Sequence, residues 1–203
     1  MVAAFYTFLM NLDAGVNRLR NFERHYGPLF TRVSAVPQSA FVNVDYPCLP
    51  KDSHFAHKAL TSTVVKTMEI ALANKSCTYA VIFEDDTSPP PNFHNNIPNL
   101  IQRHKPLDVL YMDARNPKGD NYIPGCCTMA TIYSRKALWY LSKSMNWRSS
   151  TLMKFYSKLQ LRNVNHAHCL SDWMQANFLG MTTLRVASDP IVYGHGAFKS
   201  QLT

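Results

Sequence analysis

Three consecutive carboxylates, Glu84-Asp85-Asp86, stand directly behind an apolar and aromatic run, Tyr79 to Phe83, and shortly before Pro89-Pro90-Pro91. Such a run marks a strand buried on both faces, which places the acids at its carboxyl end. Like charges this close repel one another, and a hard divalent cation relieves the repulsion. Magnesium or manganese takes one or two carboxylate oxygens and fills its remaining positions with water and substrate phosphate oxygens. A short acidic turn beside a diphosphate offers that set. A solvated turn whose Asp86 caps the proline-rich loop is the other reading of the same residues.

The surrounding elements alternate. Ala4 to Leu12 is an apolar run expected to form a buried strand, with Asp13 where a helix N-cap would sit. Val16, Leu19, Phe22 and Tyr26 follow at helical spacing, Gly27-Pro28 stops the helix, and Thr31 to Val36 reads as a second short strand. Residues 37 to 53, with three prolines, read as a loop. A long amphipathic helix carrying Leu60, Val64, Met68 and Ala71 leads to the strand before the acids. Beyond them come a helix near 92 to 103, a strand Val109 to Met112, a glycine-containing loop at 117 to 125, a strand Met129 to Tyr133 and a helix from Ser134. This alternation predicts one α/β domain with a mostly parallel central sheet flanked by helices. Ligands of such sheets bind outside the carboxyl ends of the strands, where the acidic turn and Asp113 both fall. For Asp113 a simple strand-end turn is the competing reading. Past about residue 146 the pattern fades, apart from a short helix Asp172 to Leu179 opened by Ser171.

Bulk properties narrow the choices. A chain of 203 residues with 46% hydrophobic content can bury a substantial core, and no internal repeat or low-complexity segment interrupts it. The net charge of +8 suits an anionic substrate, a membrane surface or nucleic acid. The basic residues lie in short groups, such as Arg18/Arg20/Arg24, without the dense run of a nucleic-acid arm, so no nucleic-acid partner is expected. Five cysteines without a CxxC spacing indicate neither a zinc ribbon nor a fully paired disulfide framework, and favour reduced thiols in a cytosol-like compartment. His166, His168 and Cys169 lack a fourth zinc ligand at conventional spacing and read as a loop. No apolar stretch reaches the roughly 20 residues that span a bilayer, and the apolar amino terminus lacks the flanks of a signal peptide. A cytoplasmic or cytoplasm-facing location is the expectation.

A family resemblance joins these pieces. Asn11-Leu12-Asp13 with Arg18 behind it, Arg32-Val33-Ser34-Ala35-Val36, Ile82-Phe83-Glu84-Asp85-Asp86 and Tyr133-Ser134-Arg135-Lys136-Ala137 resemble, in order and spacing, the successive blocks of family-25 glycosyltransferases. That family includes lipooligosaccharide and collagen galactosyltransferases. One block departs: His57-Lys58-Ala59-Leu60-Thr61-Ser62 stands where the family shows a Gly-Cys-x-x-Ser-His-like segment, which leaves the donor sugar open. The resemblance implies a Rossmann-like GT-A fold whose residues 1–112 bind a nucleotide sugar, with a UDP-sugar the expected donor, and whose residues 113–203 bind the acceptor.

It also implies roles. Asp86 would hold the manganese or magnesium ion directly, while Asp85 and Glu84 would serve the ribose or a metal-bound water. His195, within Tyr193-Gly194-His195-Gly196, would be the second metal ligand, although a histidine between glycines is otherwise a common loop residue. Asn11, Asp13, Arg18 and Arg32 would line the donor edge. Ser171-Asp172-Trp173 is similar to the acid-plus-aromatic segment that supplies the base of inverting enzymes; an aspartate in a first helical turn also stabilises the helix dipole with no catalytic part. The expected activity is therefore metal-dependent sugar transfer to a hydroxyl of a glycan or glycoprotein. A non-catalytic glycan- or partner-binding domain and a metal-dependent nuclease or phosphatase are the rival readings of the same residues.

Overall fold

The computed structural model describes residues 4–41, 55–113, 118–120, 130–146, 175 and 178–194. Within them the chain runs β1 (Phe5–Asn11), α1 (Val16–Tyr26), β2 (Thr31–Ser34), a 3-10 turn (Gln38–Phe41), α2 (Phe55–Ala73), β3 (Tyr79–Glu84), β4 (Thr87–Ser88), α3 (Phe93–Arg103), β5 (Val109–Asp113), β6 (Gly119–Asp120), β7 (Ala130–Ser134), α4 (Arg135–Ser144) and β8 (Val186–Gly194). The strands lie in the order β2-β1-β3-β7-β5-β8-β4, with β6 also paired to β8. β1 is parallel to β2 and β3, and β5 is parallel to β8. β7 is antiparallel to both β3 and β5, so these two neighbours run the same way. The expected α/β architecture with a mostly parallel sheet is what forms.

The apolar runs are continuous because both faces of the sheet are covered. Phe8, Met10, Ala80, Ile82, Val109 and Tyr111 pack on one face with Val64, Met68 and Ala71 of α2 and Leu138 and Leu141 of α4. Leu9, Val81, Phe83, Leu110 and Met112 pack on the other with Phe22 and Tyr26 of α1 and Phe93, Ile97, Leu100 and Ile101 of α3. Burying each such side chain contributes about 1.5–3 kcal/mol. Residues two apart along a strand share a face, so one strand serves both layers.

Helix ends follow local chemistry. Ser134 Oγ accepts from Ala137 N at 3.2 Å and caps α4, while Gly27, at φ 89°, ends α1 with its N–H on Glu23 O. Asp13 is not the cap expected of it. Gly15 takes the N-cap position of α1 with no side-chain cap bond, and Asp13 instead pairs with Arg32 on the neighbouring strand, a full positive charge in place of a helix dipole.

The sequence pattern misses the two-residue strands β4 and β6 and the long strand β8. The pairing of β8 with β5 jumps from Tyr111↔Ser188 to Asp113↔Val192, so extra residues of β8, Pro190 among them, are set out of the ladder. A bulge is one of the few places where a sheet tolerates proline. The glycine-containing loop expected at 117–125 holds β6 within its described part. Of the helix expected over Asp172 to Leu179, residues 175 and 178–180 are described and helical.

Candidate active site

Because β1, β3 and β5 run in one direction, Asn11, Glu84 and Asp113 end them at the same edge of the sheet. Met10 is level with Glu84, so Asn11 and Asp85 are each the next residue along and their side chains meet. Asn11 Nδ2 donates to Asp85 Oδ2 at 2.8 Å and to the Gly15 carbonyl at 3.1 Å. Arg32 Nε donates to Asn11 Oδ1 at 3.0 Å and Arg32 Nη2 to Asp13 Oδ1 at 2.6 Å. Arg18 Nη1 donates to Asp85 Oδ1 at 3.0 Å, each side chain being 11% exposed.

The network fixes its own orientation. Asn11 is buried, and its amide spends both hydrogens and its oxygen within it; a guanidinium can only donate to that oxygen and a carboxylate can only accept from that nitrogen. Both oxygens of Asp85 are engaged, one by a partly buried cation, so this pair is worth more than the exposed Arg32–Asp13 pair, whose class contributes about 0–1 kcal/mol. Asp85 is thus a positioned acid whose charge is already answered.

Asp86, next along, differs. The residue has interactions of its own, but its Oδ1 is buried and accepts no hydrogen bond from the described residues. A buried anionic oxygen in that state is costly, and a cation on it would lower the cost, so the residue fits the metal it is expected to hold. Thr87 Oγ1 closes the turn on the Glu84 carbonyl at 2.6 Å. β4 then pairs with the end of β8, Thr87 opposite Gly194 and Ser88 opposite Tyr193. Among the described residues no three His, Cys, Asp or Glu side chains form a cation-binding group. His195 and Asp172 lie outside the described residues.

The structure therefore brings Asn11, Asp13, Arg18, Arg32 and Asp85 into one bonded set, with Glu84 and Asp86 flanking it. Asp113 is fully buried at the same edge. Sequence reading passed over Gly15. A Cβ there would lie 2.8 Å from Asn11 Nδ2, 3.0 Å from the Leu12 carbonyl and 3.1 Å from Asp85 Oδ2. The signal was a glycine immediately before a helix and four residues after the strand-end asparagine. Gly15→Ala is expected to force Asn11 and Asp85 apart and to destabilise the protein by about 1–3 kcal/mol, the usual cost of overpacking. Thermal unfolding measures it; an unchanged midpoint would show that the two side chains separate freely.

No protein-family model matches the chain, and no curated protein matches it in sequence. Its fold is similar to that of a glycosyltransferase involved in the glycosylation of the major capsid of PBCV-1, with 12% identity, 98% of this chain and 97% of that chain covered, and a TM-score of 0.54. The two chains share a fold over nearly their whole lengths. A197 from STIV is also similar, with 10% identity, 93% of this chain and 82% of that chain covered, and a TM-score of 0.48. At 12% identity the likeness to the glycosyltransferase is one of architecture, a mixed α/β domain with helices on both faces of the sheet. Among the described residues no helix is long and apolar enough to cross a membrane.

Proposed function

We propose that this chain is a metal-dependent glycosyltransferase that moves a sugar from a nucleoside diphosphate, with uridine the expected nucleoside, to a hydroxyl of a glycan or glycoprotein. The observation that carries the reading is the Asn11–Asp85–Arg18 cradle, which holds one acid of the turn at the ligand-binding edge of a sheet shared with a glycosyltransferase. A turn that served only solubility has no need of two long-range partners on one carboxylate. The residue blocks favour family 25 within this fold, with residues 1–112 serving the donor and 113–203 the acceptor.

Each side chain has a task in this reading. Asn11 and Arg18 orient Asp85, and Asp85 with Glu84 meets the ribose hydroxyls or ordered water. Arg32 steadies Asn11 and, with Asp13, rims the donor edge. Asp86 would hold manganese or magnesium, and a divalent cation bound there would stabilise the charge that gathers on the departing diphosphate. Asp172 would take the proton of the acceptor hydroxyl on the opposite side of the sugar, with inversion as the stereochemical result. Gln175, three residues on, accepts a 2.6 Å hydrogen bond from Tyr133 of β7.

The register of β4 on β8 supports His195 as the second metal ligand, because Gly194, which precedes it, is opposite Thr87, which follows Asp86. His195→Ala is expected to weaken manganese-dependent donor binding on the order of 10- to 100-fold, less than loss of Asp86, since water can replace one neutral ligand. Titration of manganese at fixed nucleotide checks this, and an unaltered metal dependence would remove His195 from the site.

The function itself is tested by offering a panel of nucleotide sugars with manganese and measuring donor hydrolysis and thermal stabilisation. Release of sugar from one donor, dependent on the metal, is the expected result. A folded protein that neither hydrolyses nor is stabilised by any of them would sink the proposal.

A further inference from the structure

At the opposite edge of the sheet, where β5 and β8 begin, a cavity of about 710 Å³ opens between the end of α3, the β6 ribbon and the first residues of β8. Its described lining contains no acid and is rich in cations: Arg103 closes α3, Lys105 follows, Lys118 precedes β6 and Arg185 precedes β8. Behind the lining stand two described carboxylates, Asp108, which accepts from Arg185 N at 3.0 Å, and Asp189. Asp189, 9% exposed, lies 3.3 Å from Arg103 Nη1, 3.1 Å from His104 Nε2 and 3.3 Å from Lys118 Nζ. Burial pushes its carboxyl up, but the hydrogen bonds and charges of His104 and Lys118 outweigh that and leave it below the usual carboxylate range.

Asp189 thus stays ionised and ties side chains from separate segments to one wall. Four cations belong to the described lining, and Asp189 pairs with two of them, Arg103 and Lys118. Basic residues after a helix are commonly there to answer its carboxyl-terminal dipole. That accounts for Arg103 and Lys105, and the ion pair with Asp189 accounts for Lys118; neither accounts for the side chain of Arg185, which arrives from another part of the chain. A cleft lined by one sign of charge focuses its field on counter-ions, and cations already held in place lose less freedom on binding. The volume suits a small molecule.

We propose that this cavity is a binding site for a small polyanion, a ligand bearing phosphate or sulfate groups, separate from the acidic turn at the other edge. The proposal stands whether or not the chain transfers sugar.

Isothermal titration in excess chelator, which leaves the acidic turn without a cation, tests it with two probes: inorganic pyrophosphate and a disulfated disaccharide. Saturable binding of either, weakening as salt rises, is expected, and the tighter probe distinguishes phosphate from sulfate recognition. Lys105→Glu with Arg185→Glu should weaken it at least tenfold with the melting midpoint retained. If that pair fails to fold, Lys105→Gln with Arg185→Gln is expected to weaken binding severalfold. Asp86→Ala should leave it unchanged. Absence of saturable binding to both probes, indifference of binding to the folded charge variants, or its loss in Asp86→Ala would each overturn the proposal.

Discussion

Asp86→Ala is expected to abolish manganese-dependent binding of uridine diphosphate while the protein stays folded. The residue sits past the end of β3, outside the apolar layers, so its truncation removes no core packing. It does remove the carboxylate oxygen that no described hydrogen bond answers, leaving the neighbouring Asp85 still tied to Asn11 and Arg18. A ligand at 100 times its dissociation constant stabilises a protein by about 2.7 kcal/mol, so the wild-type midpoint should rise clearly on adding nucleotide with manganese. In the variant that rise should vanish. Retained metal-dependent stabilisation in folded Asp86→Ala protein would refute the assignment of the acidic turn.

The second large effect is expected from Asp172→Asn, which keeps the size of the side chain and much of its capping geometry while removing the charge that accepts a proton. Loss of a general base lowers rate by ~10²–10⁴-fold, so transfer should fall by that order with donor and manganese affinity close to wild type. If Asp172 only stabilises its helix, the midpoint drops and turnover stays near normal. Measuring rate, donor affinity and midpoint on one preparation separates the two, and normal turnover would remove the residue from the mechanism and the case for inversion with it.

Much of this fold was legible because its signals are local. The doubly buried runs at β1, β3 and β5, the spacing of Phe22 and Tyr26 in α1, and Ser134 before α4 are each decided within a few residues. β8 was not legible, since Asp189-Pro190 interrupts its apolar pattern and only a bulge against β5 lets it remain a strand. Nor could local pattern give the direction of β7, which runs against both neighbours. At the site, the acids at a strand end could be read directly. That Arg18 reaches Asp85 across 67 positions, and that Gly15 leaves room for the meeting of Asn11 and Asp85, are products of the fold. The cationic cavity was invisible for the same reason: Arg103, Lys118 and Asp189 are scattered in sequence and share a place only after β6 pairs with β8.

The pairing of Ser88 with Tyr193 also sets a schedule for biosynthesis. At ribosomal rates of ~5–20 residues per second, the partner of β4 leaves the tunnel roughly 5–20 s after β4 itself. During that interval the nascent chain exposes the unpaired edge of β5, a natural holding point for a chaperone. The acidic turn meanwhile exists without its closing ribbon. A ribosome-stalled intermediate lacking β8 should therefore be more protease-sensitive than one that has released it, and competence of the turn should arrive abruptly, with β8.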